Sequence, residues 1–132
     1  MGNTDRAIRR LEGSMIYHAF DPALRRWLAT LYLAAGQDVK AGQYFYLVNK
    51  LPPEAQAAVV AFEKSLGNCP LAISRKLTPL YYFSYHHLTV YARQRYRELL
   101  HQIEARVGCV PKFLVGFAHQ LRKYGVGTDT PT

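Results

Sequence analysis

Acid is in short supply in this sequence. Nine Asp and Glu residues stand against 17 Lys and Arg in 132 residues, for a formal net charge of +8 and a pI near 9.7. The only aspartates are Asp5, Asp21, Asp38 and Asp129, and Asp21 and Asp38 fit helix caps better than chemistry. Cysteine is scarcer still. Cys69 and Cys109 form no CxxC pattern, which points to free thiols in a reducing compartment rather than a disulfide framework. Zinc-binding spacings, a nucleophile elbow, a Walker loop and a dinucleotide glycine fingerprint are all missing. The adjacent His86 and His87 would point about 100° apart on a helix and cannot chelate one metal by themselves. No enzyme and no cofactor are therefore expected. Long apolar runs are lacking too, so no membrane span is expected. Met1 to Leu11 carries Asp5, Arg6, Arg9 and Arg10 instead of a signal-peptide core, which makes a cytoplasmic location the expectation.

What the chain does contain is enough apolar material to fold. Hydrophobic residues make up 49%, with ten Tyr and six Phe among them, and a chain of this length buries roughly two-thirds of its unfolded surface. The expected class is all-α: a compact bundle of about six to seven helices, forming one domain over residues 1–125 with a flexible tail at 126–132.

The stretch Asp21 to Pro53 organises this reading. Asp21 caps a helix that Pro22 opens, since proline at the first helical position loses no hydrogen bond. Leu24, Trp27, Leu28, Leu31 and Tyr32 then recur at helical spacing as the inward stripe, with Arg25 and Arg26 toward the flank. Gly36 ends the helix in a left-handed conformation and Asp38 caps the next one. There Ala41, Tyr44, Phe45 and Val48 form the second stripe. Gly42 inside that helix costs about 1 kcal/mol against alanine, a cost that makes sense where another backbone passes close.

The positions Leu28, Ala29, Tyr32, Gly36, Ala41, Phe45 and Pro53 resemble one tetratricopeptide (TPR) unit, with departures at Arg25, Asp38 and Val48. No second unit follows at the repeat period, so the resemblance implies a single TPR-like hairpin rather than a solenoid. More broadly, RRLEG at 9–13, LATLY at 28–32, AGQYFYL at 41–47 and AFEKSLGNCP at 61–70 resemble a family of small uncharacterised bacterial proteins over about residues 5–77. That likeness implies a helical fold and a bacterial cytosolic origin, and brings no activity with it.

Around the hairpin, Thr4 to about Tyr17 reads as a first helix with Ile8, Leu11, Met15 and Ile16 inward. Pro52 and Pro53 open a third core helix bearing Ala55, Ala58, Val59, Phe62 and Leu66, which Gly67 stops. A short helix follows to Leu77. LYYFSYHH at 80–87 is read as helical. Leu88, Ala92, Tyr96, Leu99, Ile103 and Val107 mark the longest amphipathic helix, capped by Gly108, and a last helix from Pro111 places Leu114, Phe117, Ala118 and Leu121 inward.

The candidate binding residues lie on the long helix. Arg93, Arg97 and His101 are spaced by four and fall on one side, where together they can meet carboxylates or phosphates. Arg122 and Lys123 read as partners of a helix C-terminus. The leading expectation is a non-enzymatic helical protein-protein interaction module whose partner has an acidic surface, an inhibitor or toxin-immunity protein being one form of it. The alternative is a basic nucleic-acid-binding domain, with Tyr81, Tyr82 and Tyr85 available to stack bases.

Overall fold

The computed structural model describes residues 2–78 and 85–127, and all regular structure among them is helical. Seven α-helices run in the order α1 (Gly2–Ser14), α2 (Pro22–Ala34), α3 (Asp38–Phe45), α4 (Pro53–Ser65), α5 (Pro70–Leu77), α6 (Val90–Val107) and α7 (Val115–Tyr124). The all-α class follows directly. No helix among the described residues is long and apolar enough to cross a membrane. The chain divides into two compact units, Met1–Cys69 and Pro70–Thr132.

In the first unit α1 packs on α2, α2 on α3, and α3 most extensively on α4. Each boundary has a local cause. The Asp21 carboxylate accepts hydrogen bonds from the amides of Ala23 and Leu24 at 2.9 and 3.2 Å, the capping arrangement that its place before Pro22 implies. At the other end of α2, Gly36 has φ +76°. The amides of Gly36 and Gln37 donate to the carbonyls of Leu33 and Tyr32, so the last turn is closed as a Schellman motif. The same closure ends α4, where Gly67 and Asn68 donate to Lys64 and Glu63. Asp38 is not a cap: Gln37 holds that position without a side-chain bond, and Asp38 lies in the first turn of α3, where its charge suits the helix dipole.

The inward stripe of α2 differs from its expected register. Leu28, Ala29 and Tyr32 are buried as the spacing predicts, but Arg25 is buried as well, at 4% exposure, while Trp27 is 60% exposed. The helix is rotated so that positions 25, 28, 29 and 32 face inward. Arg25 tolerates burial because its Nε donates to the Ala19 carbonyl and its guanidinium lies 5.4 and 5.9 Å from the ring centres of Phe20 and Tyr44. Ile16 also departs from expectation at 60% exposure, because α1 stops at Ser14 and the helical register that would carry Ile16 inward stops with it. Ala41, Phe45 and Val48 are all buried, Val48 from the turn beyond α3.

In the second unit α5 packs on α6 and α6 on α7. Thr89 caps α6, its hydroxyl accepting from the Ala92 amide at 3.1 Å, and Gly108 closes it at φ +86°. A 3-10 turn at Lys112–Leu114 precedes α7, which buries Phe117, Ala118 and Leu121 as its spacing predicts, with Leu114 buried just ahead. Of the stretch read as helical at 80–87, residues 80–84 lie outside the described residues. Tyr85–His87 form a single 3-10 turn.

Candidate partner-binding site

On α6, positions 97, 100, 101 and 104 are separated by three, one and three residues, so a helix places them on one side. Positions 118, 121 and 122 repeat that logic on α7. Where these two faces meet they line a cleft of about 140 Å³, formed by Arg97, Leu100, His101, Glu104, Ala118, Leu121 and Arg122. Leu100, Ala118 and Leu121 are buried and make its floor. His101, Glu104 and Arg122 are exposed and Arg97 is half-buried, so the charges form the rim.

The rim holds two guanidinium groups and an imidazole against one carboxylate. Arg97 Nη2 donates to Gln94 Oε1 at 2.6 Å, which orients the guanidinium from the preceding turn of α6. Arg122 stands in the last turn of α7, where a cation also complements the helix dipole. Side chains of His101, Glu104 and Arg122 make no hydrogen bond or ion pair among the described residues. The cleft can therefore offer cations to an anion and an apolar surface to whatever carries it. Its lining contains neither hydroxyl nor thiol.

Arg93 is elsewhere. Its Nε donates to the Tyr85 carbonyl at 3.0 Å, its Nη1 to the Val126 carbonyl at 3.3 Å, and the guanidinium lies 3.9 Å from the centre of the Tyr85 ring. Tyr85, itself buried, donates its hydroxyl to the Gly125 carbonyl at 2.8 Å. Arg93 and Tyr85 thus tie the start of α6 to the chain following α7, and that commitment separates Arg93 from the other two predicted residues. Of the residues expected to act together, the structure joins Arg97 with His101 and adds Arg122 and Glu104. His86 and His87 are exposed on their 3-10 turn, His86 edge-on to Tyr85 with ring centres 5.4 Å apart. No group of three or more His, Cys, Asp or Glu side chains among the described residues is arranged to hold a metal ion.

A model of a family of unknown function, DUF6584, matches residues 1–119, most of the chain. The chain belongs to the DUF6584 family. No curated protein and no solved structure matches it. The DUF6584 match covers α1 to α6 and part of α7, including Arg97, Leu100, His101, Glu104 and Ala118 of the cleft, and ends before Leu121 and Arg122.

Charge in this DUF6584 chain is divided unevenly between the units. Residues 70–132 hold nine of the 17 Lys and Arg but three of the nine Asp and Glu, a net +6, whereas residues 1–69 hold eight against six, a net +2. Counting charge over the whole chain hides this asymmetry; counting it by halves reveals it.

The first unit holds a second group of ionisable side chains that residue spacing did not single out. Tyr32 donates its hydroxyl to Glu12 Oε1, and its ring stacks on Tyr44 with centres 5.7 Å apart and planes 7° from parallel. Lys40 Nζ lies 5.4 Å from the Tyr32 ring centre. Burial pushes the Tyr44 phenol above its ordinary range and the Glu12 charge adds to the rise, while Arg25 opposes it. The group joins Glu12 of α1, Tyr32 of α2 and Lys40 and Tyr44 of α3.

Proposed function

We propose that this DUF6584 chain is a non-enzymatic helical protein-interaction module that docks an acidic protein surface on its second unit, in a cytoplasmic setting. The observation that carries the reading is the α6–α7 cleft, where Arg97, His101 and Arg122 stand over an apolar floor. An interface needs both features, an apolar centre to exclude water and rim charges that steer and align the partner. The TPR-like spacing of α2 and α3 supports the same class. Nucleic acid would draw on the same net charge, but Glu104 in the rim repels phosphate, and the apolar floor has no use in a backbone contact. A protein segment that brings an apolar side chain to the floor and a separate carboxylate to the rim suits both.

The test is affinity capture from the source cell with nuclease present, comparing the natural chain with Arg97→Glu combined with Arg122→Glu. The reading requires a protein that survives nuclease and is lost from the double variant. Recovery of nucleic acid alone, released by modest salt, contradicts it and favours the alternative.

A further inference from the structure

The dimensions of the cleft limit what can enter it. A cavity of roughly 150 Å³ admits a benzene-sized body, so the 140 Å³ between α6 and α7 has room for one apolar side chain. It is too small for a helical ligand, which lays several anchors along a groove at i, i+4 and i+7. The occupant must also bring its negative charge to the rim without drawing it across Leu100, Ala118 and Leu121.

An internal Asp or Glu of a partner fits this poorly. Its carboxylate terminates the same side chain that would enter the cleft, so either the charge sits on the apolar floor or the floor stays uncovered, and both cost binding energy. At the last residue of a protein, the side chain and the α-carboxylate leave the same carbon in different directions. One can rest on the floor while the other meets Arg97 and Arg122, whose planar guanidinium groups suit a carboxylate. Glu104, the single anion of the rim, then faces the amide N–H of that last residue, a donor that phosphate lacks. Leucine, methionine or phenylalanine matches the volume; a charged or hydroxylated side chain would leave the floor unmatched.

We infer that the α6–α7 cleft captures the free C-terminus of a partner protein ending in an apolar residue, with the α-carboxylate on Arg97 and Arg122. The inference rests on the protein-interaction reading above and supplies the chemistry of the partner.

Two pools of acetylated peptides, randomised except for a final leucine, methionine or phenylalanine, test it: one with the free carboxylate and one amidated. Binding to the full chain is followed by amide NMR signals of α6 and α7 and by fluorescence anisotropy. The free-acid pool should shift signals around the cleft, and amidation should weaken binding about tenfold or more, as expected for loss of a charge-assisted pair. Exchanging the last residue for glycine should also weaken it about tenfold, through the lost apolar contact. Arg97→Gln with Arg122→Gln, at one half-buried and one exposed side chain, should bring the free-acid pool down to the affinity of the amide pool. Equal binding of acid and amide overturns the inference, as does the absence of any shift in α6 and α7. Free leucine binding as tightly as the peptides overturns it too, since the cleft would then be a small-molecule site. If a captured partner depends on Arg97 and Arg122 yet binds unchanged after its own last residues are removed, the C-terminal inference fails and the interaction module stands. If no partner depends on those arginines, the module reading itself fails.

Discussion

The Cα of Gly42 on α3 faces the backbone of Ala58 on α4 so closely that a Cβ at position 42 would overlap the Ala58 carbonyl and come within 2.8 Å of the Phe62 Cβ. This contact belongs to the most extensive helix pairing of the first unit, and it explains why glycine is kept inside a helix where alanine is the better helix former. Backbone carbonyl cannot rotate aside as a flexible side chain would.

Gly42→Ala is therefore expected to destabilise the protein even though helix propensity favours it by about 1 kcal/mol. Forcing the helices apart costs about 1–3 kcal/mol, so the net loss should be visible as a lower urea midpoint. A gain in stability would mean that α3 and α4 do not cross at Gly42.

Leu28 and Trp27 are neighbours with opposite surroundings, fully buried against 60% exposed. Leu28→Ala should cost about 2–5 kcal/mol through the cavity it leaves. Trp27→Ala should change stability by no more than about 0.5 kcal/mol, as surface substitutions do. Chemical denaturation of the two variants side by side would establish the rotated register of α2; equal losses would restore Trp27 to the core.

Much of the fold was legible because its punctuation is local. Asp21 before Pro22, Gly36, Gly67 and Gly108 each set a boundary through bonds to residues no more than five positions away, and such signals survive in sequence. Arg25 was misplaced because periodicity assigns faces by residue type, and an arginine counts as outward unless its partners are known. Those partners, Ala19, Phe20 and Tyr44, come from the connection before α2 and from a second helix, α3. The contacts of Arg93 were hidden for a related reason. Its spacing with Arg97 is correct, but its side chain reaches Val126, 33 residues further on. The candidate cleft was half visible: Arg97 and His101 share a helix, whereas Arg122 joins them only through the packing of α7 on α6.

Removing the Arg93 staple should affect stability rather than binding. Arg93→Ala deletes two hydrogen bonds to carbonyls and the cation over Tyr85, and a loss of about 1–3 kcal/mol is expected. Faster hydrogen exchange in residues 124–127 should accompany it. An unchanged exchange pattern would show that the end of the second unit is held by other contacts.

Tyr44 supplies a pH test. Its phenol is held above the ordinary value of 10.0, first by burial and then by Glu12, so the folded protein resists losing this proton more than the unfolded chain does. Its contribution is intact below the unfolded value and is lost as pH rises from about 10 through the folded value. Tyr44→Phe should flatten this part of the alkaline stability profile. A profile of identical slope in the variant would show that Tyr44 is not held in its protonated form.

The interaction account depends most directly on the two cleft arginines acting where Arg93 does not. The decisive measurement is the affinity of a captured partner, purified, for the natural chain, for Arg97→Glu with Arg122→Glu, and for Arg93→Ala, with folding of each checked by circular dichroism. The account predicts a loss of about a hundredfold or more in the double variant, of the size that reversing close charge pairs produces, and nearly natural affinity for Arg93→Ala. Natural affinity in the folded double variant would contradict it.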